Sequence, residues 1–257
     1  MRLHVVHHGI LRRRARGRRV LWTGGELLVT VGLVLLLLVV HQLWWTNRQA
    51  RQGAERKVEA LEREWGAGSQ SQGGGGGGDS GAAPGGVRGG AGRHGAGSAS
   101  GAVSTPGRSQ AYAVLTIPRL GLRVPVAEGV GKQSVLNKGY VGHYPGTQQP
   151  GRAGNFALAG HRNTHGEPFR YLNRLTVGDS VRVETASATY TYAVDTILPQ
   201  TSARDSGVLA PVPRSTVRPA YGYQVPGDYL TLTTCTPEYT SRYRLVVWGK
   251  LVSTRPR

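Results

Sequence analysis

A thiol, an imidazole and a guanidinium each stand at the end of a strand-like segment in the carboxy-terminal half of the chain. Cys235, the single cysteine among 257 residues, ends an alternating run that begins at Tyr229. His161 ends an apolar run that begins at Asn155, and Arg244 opens the run that follows the cysteine. A lone cysteine cannot form an intramolecular disulfide, so it is either inert packing or a reactive thiol. Together the three groups are those needed for acyl transfer through a thioester.

Each of the three groups has a distinct role in such a reaction. A cation close to Cys235 favours the thiolate, which is the nucleophilic form. His161 could supply that cation and then protonate a departing amine. An antiparallel return of the chain would bring Arg244 beside the sulfur, where its guanidinium could stabilise an oxyanion or hold substrate carbonyls. If thiolate and imidazolium form the active state, the pH–rate profile should be bell-shaped.

Less reactive interpretations compete for each group. A free cysteine is more often a small buried hydrophobe than a nucleophile. His143, in a Tyr-Pro-Gly turn, and His165, in a polar loop, compete with His161, which we prefer because it ends a strand. Arg242 competes with Arg244, which we prefer because the apolar strand starts directly after it.

The elements that must position these groups are strands. From about residue 110 onward the chain has period-two or continuous apolar runs, punctuated by Gly and Pro, as is typical of β-structure. The runs cover residues 113–117, 122–126, 155–161, 179–185, 189–197, 229–235 and 244–251. The fourth and fifth runs are separated by a short turn and predict a β-hairpin; a short helix is predicted only over 167–175. About 140 residues of this kind predict one closed or nearly closed barrel.

The amino-terminal part has the pattern of a membrane anchor. Residues 1–19 hold a run of arginines, and residues 20–45 form a hydrophobic segment that ends with Trp44 and Trp45. Roughly 20 residues span a bilayer, so the length fits. Arginine before the span predicts a cytoplasmic amino terminus and an extracellular catalytic domain, in a single-pass protein of the cell membrane. A cleavable signal peptide is the alternative, but bulky residues follow the apolar run where small ones are needed.

Two further regions connect this anchor to the strands. Helix-forming residues from 47 to 65 predict a short, exposed juxtamembrane helix that Gly66 ends, with Val58 and Leu61 as its two large apolar positions. Eighteen of the 39 glycines lie between 66 and 107, which predicts a flexible tether. The predicted organisation is therefore a cytoplasmic segment 1–19, an anchor 20–45, a helix and linker 46–109, and a catalytic domain 110–257.

The net charge of +18 does not indicate a nucleic-acid binder. In the strand-rich region the basic residues are scattered singly, no nucleic-acid motif occurs, and an exported chain does not meet DNA. Affinity for an anionic wall or membrane surface explains the charge better. No cofactor or metal requirement is predicted, because the acids are scattered without metal-ligand spacing: Glu128, Asp179, Glu184 and Asp228.

These motifs resemble those of the sortases, the membrane-anchored cysteine transpeptidases of Gram-positive bacteria. The resemblance rests on Thr-Leu-Thr-Thr-Cys at 231–235, on Arg-Leu-Val-Val from Arg244, and on Gly-His at 160–161. Class E, the actinobacterial housekeeping type, is matched by more of the chain, in the segments 142–147, 150–162, 168–169 and 231–237. The resemblance covers roughly residues 112–252 and the anchor.

The resemblance implies an all-β fold, an eight-stranded β-barrel with short helices, and a specific reaction. Cys235 would attack the Thr–Gly bond of a carboxy-terminal sorting signal on an exported protein, and His161 would protonate the leaving Gly amine. An amine of peptidoglycan or of its lipid-linked precursor would then resolve the thioester. A Leu-Ala-x-Thr-Gly signal is expected over Leu-Pro-x-Thr-Gly, and Thr233, Thr234 and Tyr144 are the substrate-binding candidates.

Two other functions remain as alternatives. An L,D-transpeptidase also uses Cys and His outside the membrane, but its cysteine should follow a Ser/Thr-x-Gly sequence, which Cys235 does not. A non-catalytic wall-binding module on a tether would not depend on the cysteine, so replacing Cys235 by alanine separates it from an enzyme.

Overall fold

The computed structural model describes residues 8–71 and 106–257. It consists of one long helix followed by a β-barrel. The predicted cytoplasmic segment 1–19 and the Gly-rich tether lie partly or mostly outside the described residues. The elements are α1 (His8–Ser71), β1 (Ala111–Ile117), β2 (Leu122–Glu128), β3 (Val141–His143), β4 (Gly154–Ala159), β5 (Ser180–Thr185), β6 (Ala188–Ser202), β7 (Asp228–Thr236) and β8 (Tyr243–Pro256).

The eight strands close into a barrel in the order β1-β2-β3-β4-β7-β8-β6-β5. Neighbouring strands are antiparallel except in the pairs β2/β3 and β4/β7, which are parallel. The barrel predicted from the strand pattern is confirmed, and so is the hairpin, formed by β5 and β6. Strand β3 was missed: its three residues stand where the sequence favoured a turn.

The predicted helix over 167–175 is wrong in extent. Only Leu172–Arg174 form a single 3₁₀ turn there. Other 3₁₀ turns lie at Pro118–Leu120, Leu136–Lys138 and Ser206–Leu209. Each is too short to be recognised from helical periodicity, which needs several turns.

Strand β7 is buried on both of its faces. Leu230 and Leu232 point into the barrel core, while Thr231 lies under the segment that contains Val208, whose carbonyl accepts hydrogen bonds from Thr231 and from the indole of Trp248. A strand packed on both sides has little freedom to move. The cysteine near its end is therefore held on a rigid support.

Helix α1 has two parts with opposite surroundings. Its portion Trp22–Ala67 contains an 18-residue window with a mean hydropathy of 2.4, and among the described residues it is the helix long and apolar enough to cross a membrane. Beyond this window one stripe of the helix packs on the outside of β1 and β2, through residues at the spacing of a helix face: Ala50, Ala54, Val58 and Leu61. The expectation of an exposed juxtamembrane helix is therefore wrong, and the helix runs through Gly66 instead of ending there.

Candidate active site

Cys235 lies near the end of β7, and His161 lies two residues beyond the end of the neighbouring strand β4. The parallel pair β4/β7 aligns Ala159 with Thr233, and each of the two residues lies two positions further along its own chain. Adjacent strands are about 4.8 Å apart. The barrel therefore brings the thiol and the imidazole to the same end of two neighbouring strands.

Arg244 reaches the cysteine from the other side. In the antiparallel pair β7/β8 it lies directly opposite Cys235. Its Nη1 donates to the carbonyl oxygens of Ser241, at 2.9 Å, and Tyr243, at 3.0 Å, which fixes the half-buried guanidinium beside the strand end. The structure thus brings all three predicted catalytic residues together on adjacent strands in the order β4, β7, β8.

The chain just before His161 is tied to β7 by two hydrogen bonds. The backbone N–H of Gly160 donates to the carbonyl of Thr233, at 3.2 Å. The hydroxyl of Thr234, which is buried, donates to the carbonyl of Gly160, at 2.8 Å. Buried polar groups need such partners. These bonds set the separation between the histidine and the cysteine.

The surroundings of His161 favour its neutral form. Burial, followed by the positive charges of His165 and Lys132, lowers the pKa of His161 to about 4. The two histidine rings are stacked, with centroids 5.4 Å apart. Nε2 of His161 lies 2.9 Å from Oδ1 of Asn137, an acceptor that selects the tautomer protonated at Nε2 and leaves Nδ1 with its lone pair. The resting imidazole is therefore neutral at pH 7 and can accept a proton at Nδ1.

A second guanidinium, that of Arg162, lies next to the cysteine. Its Nη1 donates to the backbone carbonyl of Cys235, at 3.2 Å, and to Oγ1 of Thr236, at 3.0 Å. Only 7% of Arg162 is exposed, so its charge acts in a poorly solvated place. Together with Arg244, which lies opposite Cys235, it adds positive charge near the end of β7, which favours negative charge that develops there. Arg162 ends the segment 150–162 but was not among the predicted site residues. Its position directly after His161 was the feature of the sequence that could have indicated a place in the site.

A cleft of about 190 Å³ opens beside Arg244 and contains two of the substrate-binding candidates. Tyr144 and Thr233 line one wall, where the tyrosine hydroxyl and Oγ1 of Thr233 are 3.1 Å apart. Thr234 is not among the described residues that line this cleft, since its hydroxyl is engaged with Gly160.

The opposite wall of the cleft is held by Asp205, which was not among the predicted site residues. Its buried carboxylate accepts hydrogen bonds from the hydroxyl of Thr201, at 2.6 Å, from the hydroxyl of Ser215, and from the backbone N–H of Thr216, at 2.9 Å. Burial raises the pKa of Asp205, but these hydrogen bonds outweigh it and lower the pKa below its ordinary value. The carboxylate therefore fixes the segment from 201 to 216 that shapes the cleft.

The competing residues have other surroundings. His143 lies on β3, 1% exposed, with Nδ1 2.6 Å from Oε2 of Glu128 and Nε2 3.0 Å from the carbonyl of Gln148, so both ring nitrogens are occupied. Arg242 is exposed and lies over the ring of Tyr243, 5.2 Å from its centroid. Within residues 8–71 and 106–257 no group of three or more His, Cys, Asp or Glu side chains is placed to hold a metal ion.

Comparison with known proteins identifies the family of this chain. Residues 115–252 match the sortase domain family, and the chain belongs to that family. It is similar to two proteins of Streptomyces coelicolor. With sortase SrtE1 it shares 43% identity over 238 residues, which cover 91% of this chain and 57% of that protein. With sortase SrtE2 it shares 36% identity over 238 residues, covering 90% and 81%.

Solved structures lead to the same class. The crystal structure of sortase E1 from S. coelicolor, with a tripeptide in the active site, superposes with a TM-score of 0.55 and 51% identity, covering 60% of this chain and 94% of that one. Sortase E from Streptomyces avermitilis gives a TM-score of 0.51 and 42% identity, covering 58% and 93%. The class E resemblance inferred from the motifs is confirmed.

Proposed function

We propose that this chain is a membrane-anchored cysteine transpeptidase that joins exported proteins to the cell wall. It would cleave a sorting signal of the Leu-Ala-x-Thr-Gly or Leu-Pro-x-Thr-Gly type between Thr and Gly and transfer the Thr carbonyl to an amine of peptidoglycan or of its lipid-linked precursor. The observation that carries the proposal is the alignment of His161, Cys235 and Arg244 on three adjacent strands of a sortase-family barrel.

The first half of the reaction follows from the protonation state of the histidine. Sγ of Cys235 attacks the Thr carbonyl carbon while its proton passes to the neutral imidazole of His161, since a pKa of about 4 leaves that imidazole free to accept it. The oxyanion that forms is stabilised by Arg244. The imidazolium then gives its proton to the Gly nitrogen as the C–N bond breaks, which leaves the thioester. The thiolate–imidazolium pair considered from the sequence becomes a state formed during attack instead of the resting state.

The second half reverses the proton movements. An amine attacks the thioester carbon, His161 accepts a proton from it, and the C–S bond breaks. The thiolate of Cys235 recovers its proton from the imidazolium, so the enzyme returns to its starting form. The product is a new amide between Thr and the acceptor, with no net change in the number of protons bound to the enzyme.

The substrate would lie in the cleft between Tyr144 and the segment fixed by Asp205. A peptide in that cleft would meet Thr233 on the strand that leads to Cys235, and Arg244 at the point of attack. The tripeptide in the active site of the similar sortase E1 crystal structure supports a peptide substrate. The apolar helix that precedes the barrel supports anchoring in the membrane, with the arginine-rich amino terminus in the cytoplasm.

The proposal is tested by trapping the acyl-enzyme. The full-length chain in detergent micelles is incubated with a Leu-Ala-x-Thr-Gly peptide or its Leu-Pro counterpart, with and without triglycine as the amine, and its intact mass is measured. We expect an adduct on Cys235 that triglycine releases, and none in Cys235→Ala. Arg244→Ala should slow acylation at least about 100-fold, as expected for loss of an oxyanion donor. Arg242→Ala, a neighbouring arginine on the surface, is the matched control.

Two results would contradict the proposal. Folded wild-type chain that forms no adduct with either peptide would favour a wall-binding module. Cleavage that persists in Cys235→Ala would exclude a thioester route. Loss of turnover on adding a chelator would contradict the prediction that no metal is required.

A further inference from the structure

The part of α1 that follows the apolar span contacts the loop that follows His161. Oδ1 of Asn47 accepts a hydrogen bond from the N–H of Gly166, at 3.1 Å, and its Nδ2 donates to Oε1 of Glu167, at 2.8 Å. Nε of Arg51 donates to the carbonyl of Gly166, at 3.1 Å, and Nη2 donates to Oε2 of Glu167, also at 3.1 Å. Asn47 and Arg51 therefore make four hydrogen bonds with the loop, two with the backbone N–H and C=O of Gly166 and two with the carboxylate of Glu167.

The loop has a conformation that needs such external support. Three consecutive residues have left-handed backbone angles: His165 with φ of 52°, Gly166 with 84° and Glu167 with 53°. Residues with a Cβ avoid this region, and it persists only where the surroundings enforce it. The carboxylate of Glu167 is almost completely buried and also accepts a hydrogen bond from Arg170, at 2.6 Å. Without the helix, this loop would lose four of the hydrogen bonds that enforce its left-handed backbone.

The same helix also contacts the second segment that holds the histidine. The 3₁₀ turn Leu136–Lys138 carries Asn137, the partner of His161 Nε2. Gly139, which follows this turn, is so close to the helix that a Cβ on it would lie 2.8 Å from the carbonyl oxygen of Ala50. The helix therefore packs against both segments that surround the imidazole, one on each side.

The two ends of the part of α1 that packs on the barrel differ in how firmly they are held there. Val58 and Leu61 are buried against β1 and β2, and Glu62 pairs with Arg123. At the other end Arg51 is 56% exposed, and a cleft of about 250 Å³ lies beside it between the helix and the barrel. Arg170 still pairs with the buried carboxylate of Glu167 when Arg51 is removed. Changes at Asn47 and Arg51 should therefore alter the loop without detaching the helix or unfolding the barrel.

We propose that Asn47 and Arg51 are positioning residues that hold the His161 loop in its working geometry, so that the anchor helix is part of the active-site support. This inference rests on the proposed catalytic role of His161. Since Trp44 and Trp45, the expected membrane-interface pair, stand just before Asn47, the same contacts fix the rim of the site next to the membrane surface. The helix would then both anchor the enzyme and complete its site.

The test compares full-length variants in detergent micelles. In Asn47→Ala/Arg51→Ala we expect kcat for acylation to fall roughly 10- to 100-fold, the loss typical of a misplacement near 1 Å, with KM within about twofold. Arg51→Lys should retain more of the wild-type kcat than removal of the side chain does, because an ammonium can still bind the Glu167 carboxylate. It cannot bind Gly166 at the same time, so the retention should be partial. Arg48→Ala is the control, since Arg48 is exposed and lies over Trp44 of its own helix.

A second readout does not depend on turnover. The ring resonances of His161, assigned by comparison with His161→Gln, are titrated by NMR in the full-length chain. His165 and Lys132 are the groups whose charges lower its pKa, and both remain in the double variant. We expect the titration midpoint to rise in the double variant as the loop opens to water, and to stay unchanged in Arg48→Ala.

The outcomes separate the two proposals. A wild-type chain without acylation refutes the proposed function, and the NMR titration then still decides the inference. An active wild type whose double variant keeps the wild-type kcat and the wild-type His161 midpoint refutes the inference. Equal losses in the double variant and in Arg48→Ala would also overturn it, because they would reflect a general effect of charge on the helix.

Discussion

Replacing Gly160 by alanine should disturb the site through a single steric contact. A Cβ at this position would lie 2.7 Å from Cδ2 and 2.8 Å from Cγ of Phe169, closer than Cβ atoms approach other atoms. The φ angle of Gly160 is not left-handed, so the backbone itself would accept alanine. Phe169 is fully buried in the barrel core and cannot turn away. The strain must then fall on the chain that leads into His161.

The size of the effect follows from the added methyl group. Overpacking a core by this amount costs about 1–3 kcal/mol, which for a domain of this size corresponds to a Tm lower by roughly 2–12 °C. The hydrogen bonds of Gly160 with Thr233 and Thr234 would lengthen, so His161 would move away from Cys235. A displacement of several tenths of an ångström to 1 Å should reduce kcat roughly 10- to 100-fold.

Thermal unfolding and acylation kinetics measure the two consequences in the same samples. Phe169→Ala removes the ring atoms that the new methyl meets, so the double variant Gly160→Ala/Phe169→Ala should be more stable than the sum of the single changes by about 1 kcal/mol or more. Gly66→Ala is the control, because a Cβ there meets nothing within 4 Å. A Gly160→Ala enzyme with wild-type Tm and kcat, or strict additivity in the double variant, would refute this reasoning.

Three further predictions concern groups around the site. Because the pKa of His161 is lowered from 6.5 to about 4, the folded state binds fewer protons than the unfolded state between these pH values. The free energy of unfolding should therefore fall as the pH is lowered from 6.5 to 4, and it should fall less in His161→Gln. Denaturant titrations at several pH values measure this difference. Asp205→Asn should raise KM for the peptide more than it lowers kcat, because it loosens the cleft wall; a pure kcat effect in steady-state kinetics would contradict this. Thr234→Val leaves the Gly160 carbonyl without its hydrogen-bond donor and should lower the free energy of unfolding by about 1–3 kcal/mol, measured by urea denaturation. An unchanged free energy of unfolding would mean that water replaces the hydroxyl.

The strands and the residues at their ends could be predicted from the sequence because both signals are local. A period-two run shows where a strand lies, and the polar residue that ends the run shows where chemistry is placed. This was sufficient for the barrel and for the positions of Cys235, His161 and Arg244. It failed for β3, because Val141–His143 are only three residues, one of them glycine, directly before a Tyr-Pro-Gly turn, and three residues are too few to form a pattern.

The helix that packs on the barrel was misjudged because its buried stripe contains alanine. Only Val58 and Leu61 were counted as apolar positions, and the buried Ala50 and Ala54 were not. Alanine fits where a helix approaches a sheet closely, so burial there does not require large side chains. The contact between Asn47 and Glu167, 120 residues apart, has no local pattern at all.

The distribution of these contacts separates what performs the reaction from what adjusts it. Strand pairing places the backbones of Cys235 and Arg244 and brings His161 to the end of β4, whereas the contacts of the following loop with α1 adjust the position of the imidazole. The low pKa of His161 has another origin, since burial, His165 and Lys132 all act through the two segments that pack against α1. Substitutions at the strand ends should therefore abolish acylation at every pH, whereas those at the helix contacts should shift its pH dependence and its kcat. The proposed chemistry at the strand ends can in this way be adjusted by the helix that precedes the barrel.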